Sequence, residues 1–441
     1  MFDSKIKSKK ENISIFWFRR DLRLFDNNGL FHALTSGLKV LPVFIFDKNI
    51  LEKLSDKNDA RVSFIHSQIE LLNHELKKYN STIITIYNNP VAAFNYIINN
   101  YCVKKVYTNN DYEPYAIKRD SEVSAFLSAQ GIDFITFKDH VIFEKGDILK
   151  SDGKPYTIFT PYMKQWKLKF TENCCNTIQT EKYFNNFFLS ENIAPISLIE
   201  LGFVKSKLEI IACKVDEEIV RNYESTRNFP EYNTTKLGLH LRFGTVSIRE
   251  LIKKAFELSN VWLNEIIWRE FFQMIMFHFP YSAKNSFKPA YDRIKWRNNE
   301  QEFELWCNGK TGYALVDAGM RELNKTGFMH NRIRMVVASF LCKNLLIDWR
   351  WGEAYFAEKL LDFDLASNVG NWQWAAGSGC DAAPYFRIFS PTLQAGKFDK
   401  NQKYIKKWIP EFGTNTYSKP IIDSKITAKN TIEVYKKALN S

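Results

Sequence analysis

The residues best equipped for chemistry lie in one short run: Asp362-Phe363-Asp364, then Asn368, then Trp372-Gln373-Trp374. Two carboxylates and an amide can grip a cationic or polar group. Two oxidisable indoles beside them suit a redox cofactor better than a hydrolytic site. A calcium loop opening at Asp362 would need glycine at 367 and glutamate at 373, where the chain has Ser367 and Gln373. Gly309-Lys310-Thr311 resembles the end of a phosphate-binding loop, but Glu304 stands where that loop needs a glycine. Gly377-Ser378-Gly379 reads as a turn. The histidines form no HExxH or paired ligand spacing, which argues against a metal hydrolase.

Two helical faces add to this run. Trp262, Glu265 and Arg269 recur at i, i+3 and i+7, with Trp268 at the margin, so one face offers an indole, a carboxylate and a guanidinium. That face suits a flat aromatic guest, although an amphipathic helix burying its tryptophans has the same pattern. In a helix from His330 to Trp349, Asn331, Arg334 and Met335 share a face while Arg332 points elsewhere. Arg334 finds a natural partner in Asp362 or Asp364, because a charge in an aromatic-rich site must be paired. A purely structural ion pair has the same signature. Trp296, Trp349 and Trp372 fall on three separate segments and could relay single electrons, or be ordinary core residues.

The elements that must position these groups divide the chain. Short β-rich runs at Ser14–Phe18, Leu41–Phe46, Thr82–Tyr87, Lys105–Thr108 and Asp133–Phe137 alternate with helical stretches. The clearest helix is Asp59–Tyr79, with Ile65, Ile69, Leu72 and Leu76 in phase. This is a βαβ series and predicts an α/β domain over 1–140 with a parallel, Rossmann-like sheet. Residues 141–200 read as a long connection, and 201–441 as an all-α domain.

Composition sets the outer limits. Lys and Arg exceed Asp and Glu by 61 to 49, giving +12, a field that attracts polyanions such as nucleic acid. The seven scattered cysteines show no CxxC spacing, which favours a reducing cytosol and a cytoplasmic protein. The lysine-rich start, Lys5 to Lys10, runs into Arg19-Arg20-Asp21 and makes a poor signal peptide. No apolar run approaches the roughly 20 residues of a membrane span.

Taken together, several long motifs resemble the DNA photolyase and cryptochrome family over nearly the whole chain, closest to its class I cyclobutane pyrimidine dimer photolyases. The resemblance is carried by Phe16-Trp17-Phe18-Arg19-Arg20-Asp21-Leu22-Arg23, by Trp262 to Glu270, by Met329 to Met335 and by Asp362 to Trp374. It implies an amino-terminal α/β domain, a helical domain holding FAD in a U shape, and light-driven repair of DNA. In that reaction excited reduced FAD donates an electron to a pyrimidine dimer, the cyclobutane ring splits and the electron returns.

By the same resemblance, Tyr223 and Thr234-Thr235-Lys236-Leu237-Gly238 hold the FAD phosphates and ribose. Trp262, Arg269, Asp362 and Asp364 line the cofactor, Asn331 and Arg334 lie near its rings, and Asn368 faces flavin N5. Gly238 stands where relatives often have serine. Electron supply runs from Trp296 through Trp349 to Trp372. Glu265 hydrogen-bonds a dimer base with Asn331 nearby, Trp268 and Trp374 stack on the flipped bases, and Met335 packs at the lesion's edge. Arg227, Arg332 and Gln394 are expected at phosphate or lesion.

Relatives that repair (6-4) photoproducts carry histidines where this chain has Asn331 and Met335, so cyclobutane dimers are the expected substrate. The end at Ser441, without the long tail of many signalling cryptochromes, leans the same way. The rival expectation is a blue-light photoreceptor that signals to a protein partner. A folate or deazaflavin antenna is a further expectation, with Glu113 and Lys284 serving a folate. A monomer is expected.

Overall fold

The computed structural model describes residues 8–210 and 212–440. Positions 5–7 of the lysine-rich start and Ser441 lie outside the described residues. The chain forms two compact units. The first comprises 1–144, 170–213 and 239–254, and the second 145–169, 214–238 and 255–441.

The first unit is built on five parallel strands, β1 (Ser8–Phe18), β2 (Lys39–Asp47), β3 (Ile84–Asn88), β4 (Tyr101–Asn109) and β5 (Asp133–Phe137), in the order β3-β2-β1-β4-β5. The middle strand β1 pairs with β2 and β4, and its Phe16 and Phe18 enter one apolar cluster while Ile15 and Trp17 enter the other. Such alternation into two cores is what a sheet covered on both faces requires. Helix α1 (Ala60–Lys77) is capped by Asp59, whose side chain accepts from the Arg61 N–H, and buries Ile69, Leu72 and Leu76.

Residues 239–254 join this unit through buried charge. Arg249 donates to both carboxylate oxygens of Asp26 at 2.8 and 2.9 Å and to Asp139 at 2.9 Å, while Arg23 reaches Asp139 at 2.7 Å.

The stretch expected as a loose connection contains helix α2 (Phe159–Lys169), part of the second unit. Its Phe159, Tyr162 and Trp166 are buried at i, i+3 and i+7. Trp166 donates through its indole nitrogen to Glu270 at 2.6 Å, and Tyr162 donates to the same carboxylate at 3.2 Å. The second unit's other key helices are α3 (Asn260–His278), α4 (Glu300–Cys307), α5 (Asn331–Lys343), α6 (Trp349–Lys359), α7 (Leu365–Ala376), α8 (Pro391–Phe398) and α9 (Ser424–Asn440).

Each start carries its own signal. Ser259 caps α3, His330 caps α5, Asp348 caps α6 and Asp364 caps α7, each accepting from a first-turn N–H. Gly377 ends α7 in the left-handed conformation, φ 92°.

Candidate active site

Helices α5, α6 and α7 border an open cavity of about 610 Å³. Asn331, Arg334 and Met335 line it from α5, Phe356 from α6, and Asn368, Trp372 and Trp374 from α7, with Asp362 and Asp364 on the turn before α7. The shared face read from helical spacing on α5 is therefore a real wall of this cavity.

The charges in the wall are matched. Arg334 donates to Asp362 Oδ2 at 2.9 Å and to the Met329 carbonyl at 2.8 Å. Asp364 has a different task. It accepts from both Gln273 Nε2 contacts, at 3.0 and 2.9 Å, and from the Ser367 N–H at 3.1 Å. The second oxygen of Asp362, Oδ1, is buried with no hydrogen-bond partner. An unpaired buried carboxylate oxygen costs enough that a donor is needed there.

Gly238 explains how the chain reaches Asp362. A Cβ at 238 would stand 2.7 Å from Asp362 Oδ2 and 2.8 Å from its Cβ, so glycine lets the backbone approach the carboxylate. The neighbouring Thr234, Thr235 and Lys236 are half-buried, Leu237 is buried, and neither threonine hydroxyl has a partner among the described residues. The Lys236 ammonium lies 5.0 Å over the Phe328 ring, and the Arg334 guanidinium 5.7 Å over it. This segment thus presents two free hydroxyls and a cation.

On α3, Trp262 is buried, Arg269 is half-buried, and Glu265 pairs with Arg227 at 2.6 Å, with side chains 28% and 30% exposed. Burial pushes the Glu265 carboxyl above its ordinary value, and Arg227 opposes that shift. Arg227 also lies over the Tyr223 ring at 5.4 Å. Trp268 stacks on Phe159 at 3.7 Å between centroids, with planes 8° apart, so one indole face is already covered.

A cluster of like charge lies nearby in sequence order on α5 and beyond it. Arg332 donates to Asn228 Oδ1 at 2.6 Å and lies 4.4 Å over the Phe398 ring, away from the Asn331 face as expected. Burial, then Arg227 and Arg387, lower its affinity for its proton. Arg387 is exposed on a segment beside the exposed Phe386, and nothing in the sequence singled it out. Gln394 sits half-buried on α8 with Oε1 unpaired.

The tryptophans divide unevenly. Trp372 is buried and Trp374 is half-buried. Trp372 meets the rings of Trp306 and Phe356. Trp349 is buried with its indole nitrogen unpaired, and Trp296 is half-buried against Tyr435 at 6.0 Å.

Glu113 is paired within its own unit, its Oε1 accepting from Arg242 at 2.9 Å and from Arg20 at 3.2 Å, and Lys284 is exposed. Among the described residues no cluster of His, Cys, Asp and Glu could hold a metal ion, and no helix is long and apolar enough to cross a membrane.

Residues 14–180 match the family described as DNA photolyase, and residues 262–432 match the FAD binding domain of DNA photolyase. The chain is 36% identical to the deoxyribodipyrimidine photo-lyase of Synechococcus sp., over 94% of this chain and 90% of that protein. Among solved structures, a class III photolyase from Agrobacterium tumefaciens is similar with a TM-score of 0.84 at 28% identity, covering 100% of both chains. A cryptochrome from Synechocystis sp. is similar with a TM-score of 0.83 at 26% identity, covering 96% of this chain and 99% of that one.

Proposed function

The chain belongs to the DNA photolyase family, and from that membership we propose that it repairs cyclobutane pyrimidine dimers in DNA in a light-dependent reaction. The observation that carries the reading is the cavity whose wall joins Asn331, Arg334 and Met335 of α5 to Asp362, Asn368 and Trp372.

The donor set fits FAD. Asp362 Oδ1 is a buried acceptor in want of a donor, and Thr234 and Thr235 offer free hydroxyls beside the Lys236 ammonium for phosphate and ribose. Arg334 and Asp364 line the cavity with Asn331 at its exposed lip, and by the family resemblance Tyr223, Leu237, Gly238, Trp262 and Arg269 would complete the enclosure of the cofactor. When bound and reduced, FAD supplies on absorbing light the electron that opens the cyclobutane ring.

The chain's own residues do the rest. Glu265, held in place by Arg227, would hydrogen-bond a base of the dimer. Arg227 must then move aside or bridge both groups. The flipped dimer would stack on Trp268 and Trp374, while Met335 packs at its edge. Arg332, Arg387 and Gln394 hold the flanking phosphates. By the family resemblance Trp296, Trp349 and Trp372 would be the residues that supply an electron to a bound flavin.

The same fold also serves a light sensor. Glu265, Trp268 and Met335 together favour repair, because a sensor has no need of a carboxylate and an indole placed for flipped bases. We place the protein in the cytoplasm as a monomer. The direct test illuminates reduced, FAD-loaded protein with an oligonucleotide carrying one cyclobutane dimer. Light-dependent restoration of the two pyrimidines supports the reading; a lesion that survives illumination with bound protein overturns it.

A further inference from the structure

Trp372 borders the cavity, and its indole meets a second, fully buried indole. Trp306 lies 6.2 Å from it between centroids at 68°, an edge-to-face contact. We propose that Trp306 is an electron-relay residue that gives Trp372 a branch to the surface through Phe303 to Trp351. The proposal rests on the reading that Trp372 supplies an electron to bound FAD.

The contact is fixed by packing. A Cβ on Gly352 would come within 2.1 Å of Trp372 Cη2, so α6 presses the ring directly and leaves it no other seat. Trp306 is equally constrained. Its indole nitrogen donates to the Val337 carbonyl at 3.3 Å, and its ring lies nearly parallel to Phe356 at 6.1 Å and to Phe303 at 5.7 Å. Phe303 in turn meets Trp351 at 5.2 Å. A phenyl ring is much harder to oxidise than an indole, so Phe303 serves as a bridge and Trp351 as the next station.

Two neighbours are poorer routes. Trp349 carries the Arg350 guanidinium 4.8 Å over its own ring, where a cation opposes an oxidised indole. Tyr355 touches Trp306 at 5.8 Å, but its hydroxyl donates to Asn324 Oδ1 at 2.6 Å and to the Cys307 carbonyl at 3.2 Å. Neither amide oxygen is a base, and burial holds the phenolic proton firmly, so oxidation would leave that proton without an acceptor.

Trp351 is half-exposed and does not share that limit. One electron passes from Trp306 to oxidised Trp372, and one from Trp351 to oxidised Trp306. Trp351 then releases its indole proton to water. An external thiol returns one electron and one proton to it, so the flavin is reduced by one electron at the expense of one thiol equivalent.

The test is flash photolysis of the full-length, FAD-loaded protein without thiol, following the absorbance and lifetime of oxidised tryptophan in variants of equal flavin content. Trp372→Phe should abolish the long-lived signal. Trp306→Phe should lower its yield several-fold, Trp351→Phe should shorten its lifetime several-fold, and Trp306→Phe with Trp349→Phe should match Trp372→Phe. A wild-type signal in Trp306→Phe, with complete loss in Trp349→Phe, overturns the branch and leaves the role of Trp372 intact. A full signal in Trp372→Phe overturns the underlying reading instead. Should Trp306→Phe fail to retain FAD, an unchanged lifetime in Trp351→Phe overturns the branch alone.

Discussion

The side-chain nitrogen of Asn368 donates to Glu353 twice, to Oε1 at 2.9 Å and to the main-chain carbonyl at 3.1 Å. A carbonyl oxygen only accepts, so the amide cannot be turned round without losing that bond. Its own oxygen is left as the acceptor at the cavity wall. Were Asn368 to face flavin N5, as the family resemblance implies, that acceptor would favour the reduced, N5-protonated cofactor. Burial pushes the Glu353 carboxyl above its ordinary value, and the bond from Asn368 opposes that shift.

Glu353→Ala should remove one of the two bonds that hold the amide, leaving only the one to the main-chain carbonyl, and make the midpoint potential of bound FAD more negative. Loss of one hydrogen bond worth about 0.5–1.5 kcal/mol corresponds to roughly 20–60 mV for one electron. Glu353→Gln keeps an acceptor oxygen and should stay close to the parent potential. Spectroelectrochemical titration of the two variants decides; equal potentials would remove Glu353 from any role in orienting Asn368.

His330 caps α5 through Nδ1, which accepts from the Arg332 N–H at 3.2 Å, so the cap needs a neutral ring. Burial, aided by Arg334 and Arg332, lowers its pKa from 6.5 to about 4. The unfolded chain therefore takes up a proton that the folded one refuses between those values. The stability concerned is present above pH 6.5 and is lost as pH falls towards 4. His330→Asn keeps a capping oxygen without titrating. Denaturant melts of both proteins should show a shallower acid loss in the variant; parallel pH profiles would contradict the assignment.

Gly352→Ala places a methyl group where Trp372 already stands. It should destabilise the second unit by roughly 1–3 kcal/mol, the usual cost of overpacking a filled core. A lower denaturation midpoint at unchanged slope would show this, whereas an unchanged midpoint would mean that the Trp372 seat is slack.

Arg332 stands among positive neighbours, so a phosphate should relieve the cluster it forms with Arg227 and Arg387. Affinity for dimer-containing duplex should fall steeply with salt. Arg387→Ala should weaken binding to all sequences alike and reduce the salt slope by about one. A slope equal to the parent's would place Arg387 outside the interface.

How far the sequence carried depended on whether a signal was local. β5 is legible at Asp133–Phe137, the limits it has in the structure, because aromatic and β-branched residues bounded by turns leave little choice. The pairing of Arg334 was legible because buried charge demands a partner, although only the fold chose Asp362 and gave Asp364 to Gln273. Helix α2 is not legible even though Phe159, Tyr162 and Trp166 carry a helical stripe, since lysines and turn residues around them hide the period. Trp306 and Glu353 had no local signal at all. Their meaning lies in contacts with residues more than a dozen positions away in sequence.

In the proposed reaction the Glu265 side chain acts on the lesion while the cavity lined by α5, α6 and α7 holds the flavin. The measurement that tests it most directly is dimer repair per absorbed photon by fully reduced protein saturated with lesion, comparing the parent with Glu265→Ala at equal FAD content. The parent should repair efficiently and the variant several-fold less well while still binding the lesion. Equal yields from the two proteins would contradict the account.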